Sequence, residues 1–380
     1  MKVTTYPSFD ALPESYRELF ENGSAYWYDE SLPWFQNFVR TALDEGDEIC
    51  IFGVEDDGER GTPVAALATR HNQRPSGIFS PSLLSSLANF YTITFGPAGE
   101  FSEISSREAL QALARAIAAD HRRWDLVDLR PLDPDSAIYS NLLRSFKDAG
   151  MVVQPYFCFG NWYLPTEGLS FEDYFKSLPP AMQNTIRRKG KKLERTGSAR
   201  IEIITGTQGL EAAIEAYERI YFSSWKRPEP YPQFVPGLIR TCAQKNWLRM
   251  GVIYLGDEPI AAQVWIVKAG KATIYKLGHN QQFDEFSAGS ILTSRLLQHV
   301  LDVDKVQEID FGSGDDPYKK NWLPRRRERW GMLAMNPRTL PGCLGVVRHI
   351  GGHALKTAWR TIQQHLPSRR PAKSNAQKES

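Results

Sequence analysis

Residues 248–277 read LRMGVIYLGDEPIAAQVWIVKAGKATIYKL. Three apolar runs, 248–255, 259–267 and 272–277, are separated by two short turn sequences, GDE and KAGK. Runs of this length, rich in β-branched and aromatic residues and closed by Gly-containing turns, are strands joined as antiparallel neighbours. The stretch therefore predicts a three-stranded meander. Upstream, the spacing of apolar residues predicts helices over 170–195, 207–225 and 232–245 and a strand over 200–205. Downstream it predicts a helix over 288–303, a strand over 306–311, a short helix over 316–322 and a closing strand over 330–335.

The first half reads in the same order. Helices are expected over 13–21 and 31–44, and a hairpin from 48–55 (EICIFGVE) and 63–71 (PVAALATRH). A third strand is expected over 89–95 (NFYTITF), a helix over 106–123, and a strand over 125–129 (DLVDL). A helix over 135–149 and a strand over 151–159 complete it. A repeated element order over a long period implies two copies of one unit, and 380 residues suffice for two cores. The expected fold class is α/β, of the mixed α+β kind, with two tandem domains, 1–165 and 166–340. Each is a mostly antiparallel sheet flanked by helices. Beyond it, 341–366 carries Leu344, Val347, Ile350, Leu355, Trp359 and Ile362 on one helical stripe. Such a helix packs back on the second domain or lies on a membrane surface. The polar, basic end, 367–380, is expected to be disordered.

Composition narrows the function. Charged residues are 24% and the net charge is +2, an ordinary soluble balance that excludes wholesale coating of nucleic acid, so no DNA partner is expected. The four cysteines, Cys50, Cys158, Cys242 and Cys343, are too far apart for a metal knuckle or a disulfide framework. The N-terminal residues lack an apolar signal core and no run reaches the length of a membrane span. A cytoplasmic protein, at most peripheral to a membrane, is expected, without a bound metal. No GxSxG, HExxH or EF-hand pattern occurs.

Four segments carry chemistry. In 278–290, GHNQQFDEFSAGS, a strand ends beside His279 and a polar loop leads into Ser287, Ala288, Gly289 and Ser290 at a helix start. Free N–H groups there suit a phosphate, and Gly289 permits close approach; a plain Ser cap explains the same residues. In 310–322, DFGSGDDPYKKNW, a strand delivers Asp310 into a Gly-rich loop followed by Tyr318, Lys319 and Trp322. Asp315 or Asp316 can accept a proton there and Tyr318 can give one; an ordinary turn and helix cap is the plainer reading. In 184–195, NTIRRKGKKLER, Arg187 and Arg188 can hold phosphates, whereas the lysines read as a solvated face. RRRER at 325–329 is a second positive cluster, or an exposed connector.

Together, residues 170–323 resemble the GNAT-type acetyltransferase domain of CelD-like proteins linked with cellulose or exopolysaccharide biosynthesis. That group is related to the FemABX aminoacyltransferases, which carry two GNAT-like domains. The resemblance rests on Asn184, Arg187 and Arg188, on DEPIAAQVW (257–265), on SAGSIL (287–292), and above all on Asp310, Gly312, Asp315, Tyr318, Lys319 and Trp322. The first half matches by element order alone. The resemblance implies acyl transfer from acyl-CoA, such as acetyl-CoA, to an amine or hydroxyl on a sugar or a lipid-linked exopolysaccharide intermediate. It implies a donor site at Ser287, Ala288, Gly289 and Ser290, and substrate contacts from Arg187, Arg188, His279, Asp310 and Trp322. Asp315 would act as base, Tyr318 would protonate the leaving thiolate, and Lys319 would orient the acceptor or pair with Asp315. The glycine pattern usual in CoA-dependent relatives is incomplete in FSAGS, so aminoacyl-tRNA stands as the alternative donor. A non-catalytic scaffold for a polysaccharide intermediate stands as a third reading. Expected partners are a small-molecule or glycan acceptor, tRNA under the alternative, and peripheral contact with membrane-bound polysaccharide machinery. The first half, with DLRPLDPDS (128–136) where the second has DFGSGDDPYKK, is expected to be a degenerate copy that shapes the acceptor groove.

Overall fold

The computed structural model describes residues 1–348, apart from 23–26, 59–60, 73–79, 100–102 and 225. The first half runs β1 (Lys2–Tyr6), α1 (Glu14–Asn22), α2 (Leu32–Thr41), β2 (Asp47–Glu55), β3 (Pro63–Asn72), β4 (Leu83–Ser86), α3 (Glu103–Ala118), β5 (Leu126–Leu132), α4 (Ala137–Asp148) and β6 (Val152–Pro165). Two connecting helices, α5 (Phe171–Ser177) and α6 (Pro180–Glu194), lead to the second half. It repeats the order as β7 (Ala199–Ile204), α7 (Leu210–Ser223), α8 (Phe234–Gln244), β8 (Leu248–Leu255), β9 (Glu258–Lys268), β10 (Lys271–His279), α9 (Ala288–Gln298), β11 (Glu308–Asp310) and β12 (Arg325–Met335). A short α10 (Leu340–Val346) follows. The rest of the helix expected over 341–366, and the tail 367–380, lie outside the described residues. No described helix is long and apolar enough to cross a membrane.

The twelve strands of the described residues form one sheet, in the order β1-β2-β3-β4-β5-β12-β6-β11-β10-β9-β8-β7. Among the described strand pairs two are parallel, β4 with β5 and β10 with β11, one in each half. The halves are fused by exchanged strands. β12, from the end of the chain, lies between β5 and β6. β6 in turn pairs its last residues, Tyr163 to Pro165, with β11.

Several sequence expectations change: the helix expected over 170–195 is two, α5 and α6, parted at Leu178 and Pro179, and the short helix expected over 316–322 is a single turn at Lys319–Asn321. The run 89–95 is not a strand; the fourth strand is the short Leu83–Ser86. The N–H groups of Ile93 and Thr94 donate to the buried carboxylate of Asp29 at 2.6 and 2.8 Å, and that of Phe95 to the Pro131 carbonyl at 2.7 Å. With its amides satisfied off the ladder, this aromatic segment crosses toward the second half. The last strand, expected to begin at 330, begins at Arg325. RRRER is therefore strand rather than connector, because Glu308, Asp310 and Asp133 of neighbouring segments pair with Arg327 and Arg329.

The main core runs through both halves. Trp34 and Phe38 of α2 pack edge-on against Phe234 of α8, and Tyr91 stacks flat on Phe234 with centroids 4.1 Å apart. Gly237 of α8 is required by this contact, since a Cβ there would lie 2.2 Å from the Asn37 Oδ1. A second core, on the side of α6 and α9, holds Trp265, Leu292, Leu296 and Trp322.

Candidate functional site

β10 and β11 pair for three residues only, Lys271 with Glu308, Ala272 with Ile309 and Thr273 with Asp310. Beyond Thr273 the register of β10 shifts at Tyr275, and the chain after β11 turns away at Gly312, whose φ is +64°. A side chain at that φ is strained, and a Cβ would lie 3.3 Å from the Ile93 Cδ1. The strands thus part, and the edge of β10 from Ile274 onward loses the β11 ladder. A cavity of about 340 Å3 fills the gap. Its polar lining includes Lys226, Lys276, Asp316, Tyr318 and Lys319, and the first half contributes Tyr91.

Lys319 keeps the loop open. Its ammonium is buried and donates to the carbonyls of Phe311, Ser313 and Gly314 at 3.2, 2.7 and 3.3 Å, with Asp316 at 3.5 Å. Burial pulls it below the ordinary lysine range. Tyr318 lies at the rim, and burial, with a contribution from Asp316, raises its hydroxyl to about 12. The two adjacent aspartates have different surroundings. Asp316 lines the cavity. Asp315 is partly exposed, accepts both Nε and Nη2 of Arg326 and the indole N–H of Trp162 at 2.9 Å, and is held below the ordinary carboxylate range first by Arg326.

Asp310 and Trp322 support this loop from beneath. Asp310 is fully buried and accepts from Asn161 at 2.8 Å, from the Gly312 N–H at 2.6 Å and from Arg327. Burial works against the Arg327 charge, but Asp310 and Glu308 more than offset it and raise its pKa. The Trp322 carbonyl accepts the Tyr174 hydroxyl at 2.9 Å, which ties the loop to α5. Neither residue is among those that line the cavity.

β10 continues three residues past Lys276 to His279, which sits over the start of α9. Its Nε2 is 3.1 Å from Asp284, and Gly289 lies so close beneath that a Cβ would be 3.3 Å from its Nδ1. Ser287 is left-handed at φ +52°, and its carbonyl takes the N–H groups of Ser290 and Ile291. The Gly289 carbonyl accepts from Gln263 at 2.9 Å, and Ala288 is buried. His279 and Ser287 to Ser290 thus form one cluster, at the far end of the strand that lines the cavity. The basic helix α6 is fastened over the preceding turn, where Lys189 donates to the Glu285 carbonyl and Lys192 to its carboxylate. Arg187 stacks on Phe175 at 5.0 Å and lines a separate groove between α6 and α9, while Arg188 points outward and is exposed.

Three lining residues, Tyr91, Lys226 and Lys276, and Glu229 behind them carry no expectation from the sequence as site residues. Lys276 forms a 2.6 Å ion pair with Glu229, which also accepts the Tyr91 hydroxyl. Burial lowers Lys276 and works to raise Glu229, yet Lys276 and the neighbouring hydroxyls outweigh it and hold Glu229 low. Lys226 donates to the Leu277 carbonyl. The available signal was the charged, proline-rich string KRPEPYP (226–232) between two helices.

Residues 181–320 match the family model described as an acetyltransferase (GNAT) domain. This span includes β10, the α9 start and the loop held by Lys319. No curated protein matches the chain. Among solved structures, the crystal structure of FemX superposes with a TM-score of 0.59 at 10% identity, over 88% of this chain and 98% of FemX. A conserved protein of unknown function from Bacteroides thetaiotaomicron superposes with a TM-score of 0.53 at 9% identity, over 88% and 100%. A tandem GNAT protein from the clavulanic acid biosynthesis pathway gives 0.46 at 11% identity, over 87% and 98%. At these identities the likeness to FemX and to the Bacteroides protein is one of fold, that of a mixed α/β chain.

Proposed function

We propose that the chain is an acyltransferase that moves an acyl group, acetyl in the simplest case, from acyl-CoA to an amine or hydroxyl acceptor in the cleft between β10 and β11. The observation that carries this reading is the parting of the two strands beyond Thr273 within the GNAT-matched span. It opens the edge of a central strand to a ligand in the middle of a sheet. The donor phosphates would lie against the α9 start at Ser287 to Ser290, where the positive end of a helix meets a glycine with no side chain. The thioester would follow β10 inward.

The acceptor's nucleophile attacks the thioester carbon, and the oxygen of the resulting tetrahedral species is held by N–H groups on the freed edge of β10. Asp316, the carboxylate of the cavity, takes the acceptor's proton. The C–S bond then breaks, and Tyr318, still protonated at neutral pH, gives its proton to the departing thiolate. Lys319 acts by holding the loop that carries both groups.

Calorimetric titration with acetyl-CoA tests the reading, with tRNA run alongside. Binding of about micromolar strength, lost in Gly289→Glu, supports it. Salt-sensitive binding of tRNA alone moves the donor to aminoacyl-tRNA, a reading that the basic, exposed Arg188 on α6 favours. Silence from both overturns acyl transfer from either donor.

A further inference from the structure

We infer that α10 and the sequence that follows it form a docking surface for an anionic lipid bilayer. Leu340, Leu344 and Val347 are 66%, 54% and 65% exposed, three apolar side chains at the i, i+4, i+7 spacing of one helical face. Helical backbone runs on through Val347, and Cys343, on the same face, is exposed as well. The opposite face explains why they stay outside. Gly342 is buried, and a Cβ there would lie 2.1 Å from the Asn336 carbonyl oxygen; at Gly345 it would lie 3.3 Å from Leu126. The glycine face is seated closely on the loop after β12 and on β5, so α10 cannot roll its apolar face inward. An exposed apolar stripe fixed in this way marks an interaction site.

Charge decides what covers it. From 330 to 378 the sequence holds eight Lys and Arg and no Asp or Glu, although the whole chain is only +2. The rest of the chain is therefore net acidic, and positive charge is concentrated in this one segment. Arg338 and Arg348 flank α10 and are exposed. Arg122 and Arg123 are exposed in the turn before β5, close to α10, where the Asn336 amide donates to the Trp124 carbonyl at 3.2 Å. Beyond the described residues the sequence keeps the apolar spacing, with Leu355, Trp359 and Ile362, and sets Lys356 and Arg360 beside them. Apolar residues on one face and unopposed cations along it fit the interface of a bilayer with anionic headgroups. A second copy of this chain would bring the same cations face to face and is the poorer occupant.

The topology gives this surface a direction. β12 and β11 are both antiparallel to β6, so they run the same way, and β10 is parallel to β11. The chain therefore leaves β12 for α10 toward the same end of the sheet as the cleft opens beyond Asp310. An acceptor held in the bilayer by an apolar portion would be presented at that end; this step alone rests on the acyl-transfer reading, and the docking surface does not.

Sedimentation of the whole protein with vesicles tests the inference, using phosphatidylcholine alone and phosphatidylcholine with an equal part of phosphatidylglycerol. Binding to the anionic vesicles is expected, about tenfold or more stronger than to the neutral ones. It should be lost as salt rises from about 0.1 to about 1 M. Leu340→Ser combined with Leu344→Ser and Val347→Ser should weaken it about tenfold or more and leave the thermal midpoint unchanged, since all three side chains are exposed. Arg338→Gln with Arg348→Gln keeps the apolar face; it should weaken binding about fivefold or more and gives the answer if the serine variant does not fold. No binding to anionic vesicles, or equal binding to both kinds, overturns the inference, whatever the acetyl-CoA titration shows. Undiminished binding by the serine variant overturns it too. A serine variant with a lower thermal midpoint and native vesicle binding absent would show that the chain's own residues cover the face. A native dimer that the serine variant dissolves would assign the face to a second copy, and either result replaces the bilayer.

Discussion

The two parallel strand pairs, β4–β5 and β10–β11, begin alike and end differently. Each ladder is three residues long, and each ends on an aspartate, Asp128 in the first half and Asp310 in the second. In the first half β5 runs on to Leu132, and the Phe95 N–H closes back on the Pro131 carbonyl, so the gap is filled by the chain itself. In the second half β11 stops at Asp310, Gly312 turns away, and Lys319 holds the departing loop. The same topology thus yields a sealed seam and an open cleft. The segment that seals the first also reaches over, through Tyr91 and Ile93, to wall the second.

The largest way to break this contrast is to remove the support beneath the open cleft. Arg327→Met leaves Asp310 and Glu308 without their shared guanidinium, and Asp310 is fully buried. Losing one partner of a buried pair costs about 3–5 kcal/mol. Urea unfolding should show a loss of that order, and the surviving folded fraction should fail to bind acetyl-CoA. A loss below about 1 kcal/mol would mean that the network is hydrated and does not hold the loop.

The next effect belongs to the sealed seam. Asp29 is buried, and burial raises its carboxyl to about 6 although two N–H groups favour the ionised form. Because the folded value lies above the unfolded one, its stabilisation is complete below about pH 4. It is lost as the pH rises through about 6. The shift corresponds to roughly 3 kcal/mol across that window. Both N–H groups use a single oxygen, Oδ2, so Asp29→Asn can keep them while abolishing the charge. Stability measured from acid to neutral pH should decline in the native protein and decline less in the variant, where Glu30, raised to about 8 by burial, still contributes. An unchanged profile would assign the slope to another group.

Smaller again is Gly312→Ala, which must adopt φ +64° and meet Ile93 at 3.3 Å. A cost of about 1–2 kcal/mol is expected. Gly312→Ala combined with Ile93→Ala should recover part of it, because the contact is relieved while the backbone strain stays. No recovery would show that the first half does not press on the cleft.

The meander was legible because its pattern is local. The expected 248–255 is the observed β8, and the next two strands differ by one or two residues at their ends. The order of elements along the second half was legible for the same reason, whereas β1, β4 and the place of β12 between β5 and β6 were not. What stayed hidden depends on distant partners. The run 89–95 has strand composition, but Asp29, some sixty residues earlier in the chain, takes its N–H groups. RRRER is strand only because acids of β11 and the β5–α4 loop neutralise it. The site divides in the same way. Asp316, Tyr318 and Lys319 come from one contiguous string and could be read together. Tyr91, Lys226, Glu229 and Lys276 are brought together by folding, and no spacing connects them.

The smallest expected effect is the most discriminating for the chemistry. Asp315 and Asp316 are adjacent in sequence, and either can be written as a base from the string alone. The structure commits Asp315 to Arg326 and Trp162 on the outer face of the loop, and Asp316 to the cavity. A carboxylate held low by a guanidinium is a weaker proton acceptor, and an exposed pair of this kind adds little to stability. Asp315→Asn should therefore leave turnover within about twofold of the native protein, whereas Asp316→Asn should lower it by about a hundredfold or more. The comparison is made at saturating acetyl-CoA with one acceptor. Equal losses in both variants would mean that the Arg326–Asp315 pair positions the loop as firmly as Lys319 does, and the proton route would then have to include Asp315.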